Sequence, residues 1–171
     1  MLCCLCHQAQ DNALSDRIAN YEMEIALDVD NKTLDGLTQL TWKNTSPDTI
    51  KALYFHLYYN AFKNTGSTFF KERGVPPFLT RNIDEDCGWS WSQIESFVDA
   101  NENNLITQAE YVHTDDDNAE DQTVLKIPLA TPILPGESEV YHFNWRAKIP
   151  KTMIRTGYNC LLYTSPSPRD A

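Results

Sequence analysis

Apolar residues recur at every second position over long reaches of this chain, the period of a β-strand rather than of a helix. The clearest run is residues 21–30. There Tyr21, Met23, Ile25, Leu27 and Val29 alternate with Glu22, Glu24, Ala26, Asp28 and Asp30, which predicts one buried and one wet face. Asp30, Asn31 and Lys32 supply turn chemistry. A second strand is expected over 33–43, with Leu34, Thr38, Leu40 and Trp42 on a common side and a bulge at Gly36. The densest stretch is 44–62. Pro47, Asp48 and Ser46 set a turn, then Leu53, Phe55 and Leu57 alternate with Tyr54, His56 and Tyr58. Both sides of that run are apolar or aromatic, so a third strand packed on both faces is expected, completing an antiparallel meander with the first two.

Residues 63–91 break the pattern. Gly66, Gly74, Pro76, Pro77 and Gly88 punctuate a stretch without sustained period. Phe69, Phe70, Phe78 and Trp89 are costly to leave in water, so the loop either docks on a partner or folds over its own domain. Strand character returns at 92–98, with 105–113 as a plausible partner, and again at 123–129 and 139–149. In the last run Tyr141, Phe143, Trp145, Ala147 and Ile149 alternate with His142, Asn144, Arg146 and Lys148. Pro135 and Gly136 fit the centre of a type II turn. About seven strands with turns between them predict a mainly β fold, an antiparallel sandwich or curved sheet with one long loop.

The 171 residues suffice for one domain with a core, and 42% apolar with 11% aromatic content excludes a disordered chain. A formal charge of −10 argues against a nucleic-acid partner, and no apolar run approaches the ~20 residues of a membrane helix. Both ends read differently from the middle. Residues 1–18 are expected to be a leader, because the run from Met1 to Gln10 resembles the last part of a secretion signal with Ala9 near a cleavage point; a lipidated Cys6 is the alternative. Either implies a secreted or periplasmic protein. Residues 160–171 read as a translated sequencing adapter, C-L-L-Y-T-S-P-S-P-R-D, leaving 19–159 as the domain.

Candidate sites are few. Cys3, Cys4, Cys6 and His7 are too closely spaced for zinc, with only Cys87 left to complete a set. The run from Asp99 to Glu110 places oxygen ligands at positions one, three, five and twelve of a calcium loop, with Asn104 where glycine is usual. The competing reading is a hairpin whose turn is rich in Asp and Asn. Asp115, Asp116, Asp117, Glu120 and Asp121 form an acidic run, read as a solvated loop. His7, His56, His113 and His142 are scattered, and His56 reads as a strand residue. Two sequons begin at Asn31 and Asn44. No catalytic, cofactor-binding or metal-ligating residue is assigned.

The order Y-E-M-E-I-A-L-D-V-D, then L-D-G-L-T-Q-L-T-W-K-N-T-S-P-D-T, then L-Y-F-H-L-Y-Y-N-A-F-K-N-T-G-S-T-F-F-K-E resembles the start of secreted bacterial zinc metallopeptidases. These belong to the family of aminopeptidase N and leukotriene A hydrolase. The segments L-K-I-P-L-A-T-P-I-L-P-G-E, W-R-A-K-I-P and R-T-G-Y-N extend the likeness, which covers Tyr21 to Asn159. The resemblance implies a saddle-like antiparallel N-terminal β domain that packs on a catalytic domain and walls one side of a peptide cleft. It further implies that Arg155, Thr156, Gly157 and Tyr158 lead toward that wall. Zinc, its ligands, the glutamate base and the G-x-M-E-N stretch would all lie in the next domain, where peptide bonds near a free N-terminus are hydrolysed. This chain, lacking those motifs, would do no chemistry. The alternative is a stand-alone extracellular β-sandwich binding module, stabilised by calcium.

Overall fold

The computed structural model describes residues 17–75, 88–114, 116–151 and 156–158. Residues 1–16 of the expected leader, with Cys3, Cys4, Cys6 and His7, as well as Phe78, Cys87, Asp115, Arg155 and the tail from Cys160, lie outside the described residues.

The fold is mainly β, as the period-two pattern requires. Among the described residues seven strands are present: β1 (Ala19–Asp28), β2 (Thr33–Lys43), β3 (Ile50–His56), β4 (Trp91–Val98), β5 (Glu110–Tyr111), β6 (Val124–Ile133) and β7 (Ser138–Lys148). They form two antiparallel sheets, one of four strands in the order β1-β2-β7-β4 and one of three in the order β3-β6-β5. One short helix, α1 (Thr68–Arg73), and 3₁₀ turns at Tyr58–Phe62 and Leu105–Gln108 complete the described structure.

The core lies between the sheets. Leu40, Tyr141, Phe143, Ile94 and Phe97 of the larger sheet meet Leu53, Leu125, Ile127 and Ile133 of the smaller, with Leu105 closing one end. Phe97 stacks on Tyr141 with ring centroids 4.9 Å apart, and Phe55 crosses from the other sheet to meet it edge-on at 5.4 Å. Such edge and offset contacts add ~0.5–1.5 kcal/mol each beyond the burial itself. Burial raises the Tyr141 hydroxyl to about 12, helped by the nearby carboxylates of Glu139 and Asp99.

The expected meander does not form. β2 is flanked by β1 and β7, whereas β3 pairs with β6 in the other sheet. The period of the pattern shows which side chains share a face of each strand; it carries no information on the partner. The connection over 44–49 crosses between sheets, and Asn44 organises it. Fully buried, its Nδ2 donates to the carbonyls of Asp48 (2.7 Å) and Ile133 (3.1 Å), and its Oδ1 accepts from the Ser46 amide (3.0 Å). Its backbone also bonds Glu137 and Gly136, in the turn joining β6 to β7. That turn is the one expected: Gly136 has φ 84°, and the Glu137 amide donates to the Leu134 carbonyl.

Other expectations also need correction. The β4 ladder partner is β7, not 105–113, which splits into the Leu105–Gln108 turn and the short β5 on β6. β3 ends at His56 and is packed on one face: Leu53 is buried, while Tyr54, His56 and Tyr58 are exposed. Aromatic residues raised the strand propensity there without being core residues. β1 is exposed along both faces. The described part of the long loop folds on its own domain: Phe70 is buried against Phe62, Phe69, Val75 and Trp89.

Gly36 is not a bulge, because the β2 register runs unbroken against both neighbours. It sits opposite Trp145, whose indole lies over it and donates from Nε1 to Thr38 Oγ1 at 2.9 Å. A Cβ at Gly36 would collide with that ring. Gly36→Ala should therefore cost ~1–3 kcal/mol as overpacking, read as a lower urea midpoint with unchanged slope. Asn44→Ala should cost at least as much, ~2–4 kcal/mol, because it strands the buried Ile133 carbonyl and removes the partner of two part-buried groups, the Asp48 carbonyl and the Ser46 amide.

Candidate functional site

The calcium-loop template is present in the sequence and spent on something else in the fold. Asp99 Oδ1 accepts from the amides of Asn101 and Asn103, both at 2.9 Å, and its Oδ2 accepts from Asn103 Nδ2 at 3.0 Å. These bonds outweigh desolvation and lower the Asp99 pKa. Asn104 Oδ1 caps the following turn by accepting from Ile106 N and also takes Phe97 N. Glu102 adopts the left-handed conformation at φ 63°. A strand enters this loop and a 3₁₀ turn leaves it, so the two flanking helices of a calcium hand are lacking. The geometry is that of the tight, Asx-rich turn.

Of the two sequons, Asn31 is exposed in the β1–β2 turn, bonded to Asp28. Asn44 is fully buried and has no room for a modification.

The histidines that look scattered in the sequence are partly brought together. Strand pairing places His56 opposite Val124, and the Val112 amide donates to the Val124 carbonyl, which brings His113 to the same place. A cleft of about 380 Å³ opens there. His56, Tyr58, Phe62 and Phe69 line one part of it, and Val112, His113, Asp116, Asp121 and Thr123 the other. His56 and Tyr58 stack with centroids 4.0 Å apart; Phe62 and Phe69 meet edge-on at 5.2 Å. His113 Nδ1 is buried without a hydrogen-bond partner among the described residues.

The acidic run is not simply a wet loop. Asp121 is only 8% exposed, and it ties its own segment to the start of α1. Its Oδ2 accepts from the Thr68 amide at 3.0 Å and its Oδ1 from the Thr123 amide at 2.8 Å. Asp116 Oδ2 accepts from Thr68 Oγ1 at 2.9 Å, and Asn118 Nδ2 donates to the Gly66 carbonyl at 2.9 Å. Asp116, Asp117 and Glu120 remain exposed, as a charge run predicts. Nothing in the local sequence separates Asp121 from its exposed neighbours; only the return of the 63–75 segment against it does.

Asn60, equally buried, plays a parallel part, donating to the Gln122 carbonyl at 2.7 Å and accepting from the Ser92 amide at 2.8 Å. Among the described residues, no three His, Cys, Asp or Glu side chains are grouped to hold a metal ion, and no helix is long and apolar enough to cross a membrane.

A second surface stands out by its chemistry. Tyr21, Met23, Ile25 and Leu27 are opposite Leu40, Thr38, Gly36 and Leu34 on β2, so they share the face that elsewhere forms the core. They are 48–57% exposed, and Val29 beyond them 63%. The three-stranded sheet covers β2, β7 and β4 and stops short of β1.

Fold and surfaces together define, among the described residues, a two-sheet antiparallel β protein with an exposed apolar face on β1. No family model matches the chain, and no curated protein or solved structure matches it significantly.

Burial pushes the Asp121 pKa up, but the hydrogen bonds from Thr123 and Thr68 win and leave it lowered. A carboxyl lowered in the folded state adds stability above its unfolded pKa, and that stability is lost as the pH falls through the folded value. The acid limb of stability below about pH 4 should therefore flatten in Asp121→Asn relative to wild type. At pH 7 the same variant should lose ~1–3 kcal/mol. Urea unfolding from pH 2 to 7 checks both.

Proposed function

We propose that this chain is the non-catalytic N-terminal β domain of a secreted or periplasmic zinc-dependent metallopeptidase of the aminopeptidase N and leukotriene A hydrolase family. Its role is to pack on the catalytic domain and wall one side of the peptide cleft. The sequence likeness from Tyr21 to Asn159 suggests the family, and the open β1 face is the observation that carries the reading.

A self-sufficient β-sandwich covers both its inner faces. Here four alternating side chains on the inner face of β1 are left about half in water. Completing their burial would be worth ~1 kcal/mol each. A second domain laid on this face would gain that energy, and an isolated module would have no use for it. The turn geometry at Asp99 also disfavours the calcium-stabilised alternative.

No residue of this chain is assigned a chemical step. Zinc, its ligands and the glutamate base belong to the companion domain, and the peptide substrate is that of the whole enzyme.

The test is to recover the coding sequence around this one. An H-E-x-x-H is expected about 150 to 200 residues beyond Asn159. The extended protein should cleave amino-acid amides in a chelator-sensitive way, while the 171-residue chain is inert. Replacing Met23, Ile25 and Leu27 together by Thr should lower the melting temperature of the extended protein. A reading frame without the motif, or chelator-sensitive cleavage by the short chain itself, would overturn the proposal. A melting temperature of the short chain that rises with calcium would favour the binding module instead.

A further inference from the structure

The cleft between the Tyr58–Phe62 turn with α1 and the residues 112–114, Asp116 and 121–124 stands apart from the β1 face and calls for its own occupant. We propose that it binds the side chain of an arginine presented by a polypeptide, the planar guanidinium lying against the aromatic wall and bonding the acidic one.

Size is the first argument. A volume of about 380 Å³ admits one large side chain with part of its backbone and is small for a folded segment. The lining is the second. One side offers the rings of Tyr58, Phe62 and Phe69, faces that attract a flat cation. Phe69 already shows this chemistry: the guanidinium of Arg73, which is not part of the cleft lining, sits 5.5 Å from its centroid.

Charge is the third argument. Asp116 and Asp121 both line the cleft. The ion pairs among the described residues join Lys71 to Glu120, Lys126 to Glu110 and Arg146 to Asp35, so neither of these carboxylates has a cationic partner there. Asp121 is nearly buried and is held by two backbone amides, an arrangement that fixes its position and, among the described residues, supplies no full positive charge. Asp116 stands at the rim, bonded to Thr68 Oγ1 and to the Asn118 amide, with lone pairs to spare. His113 Nδ1 adds a buried ring nitrogen in want of a partner. A guanidinium carries five donors in one plane and can meet such separated acceptors, which a lysine ammonium does less well.

The full 171-residue chain is titrated with N-acetyl-L-arginine amide and, separately, with the neutral isostere N-acetyl-L-citrulline amide, following backbone amide chemical shifts. Saturable shifts centred on Thr68, Phe69, Val112 and Thr123 are expected with the arginine compound, and binding about tenfold weaker with citrulline. Asp116→Asn, an exposed position, should weaken arginine binding about three- to tenfold. Phe69→Leu tests the aromatic wall in the same way, provided the spectrum stays dispersed. Equal affinity for the two compounds would overturn the proposal. So would wild-type affinity in both variants, or shifts spread over the acidic surface instead of the cleft.

Discussion

At Asn44 the chain leaves one sheet and enters the other, and the side chain of that residue makes the passage possible. The six-residue connection is exposed at most of its positions, yet at the end of the sandwich it brings backbone amides and carbonyls against the buried Asn44. The carboxamide of Asn44 answers them with two donors and an acceptor, bonding Asp48, Ile133 and Ser46, while its backbone bonds the Leu134–Glu137 turn. Both crossings between the sheets at this end, from β2 to β3 and from β6 to β7, are therefore held by one residue. Asn60 does similar service in the middle of the Tyr58–Phe62 turn, joining Gln122 to Ser92. Neither aspartate nor alanine could substitute: the first lacks the donors, the second lacks everything.

The unequal width of the two sheets follows from that arrangement. With β3 drawn across to pair with β6, β2 keeps β1 on one side and takes β7 on the other, and the covering sheet has only β3, β6 and the two-residue β5. Three strands cannot cover four. The strand left over is the one with the cleanest alternation in the sequence, and this explains how a pattern can be read correctly and still mislead. Tyr21, Met23, Ile25 and Leu27 do lie on one face, the core face, as their spacing requires. What spacing cannot report is whether anything within the chain lies opposite.

The same limit recurs elsewhere. Strand positions, the mainly β class and the Pro135–Gly136 turn were legible because each is set by local periodicity or by a residue's own backbone preference. Pairing was not, since β2–β7 and β3–β6 join residues far apart in the chain. The roles of Asn44, Asn60 and Asp121 were hidden for a related reason. Asn44 and Asp121 are polar residues in polar stretches and Asn60 a lone polar residue among aromatics, and only the return of a distant segment turns each into a buried hub. Gly36 shows a subtler failure. Glycine in a strand signals either a bulge or a close approach, and the choice depended on Trp145, more than a hundred residues away.

The open β1 face and the acidity of the chain act together. A bare strand at a sheet edge invites a second copy to pair with it, and natural edges deter this with charge. On β1 the alternating positions between the apolar residues carry Glu22, Glu24 and Asp28. Two copies pairing antiparallel about the strand centre would bring Glu22 and Glu24 of each into one cluster, opposing the backbone bonds that would form. The deterrent acts along the edge and leaves the apolar face untouched. A partner can thus cover Tyr21, Met23, Ile25 and Leu27 from above without meeting those carboxylates head-on. Strand chemistry of this kind favours a layer laid over the sheet rather than an extension of it.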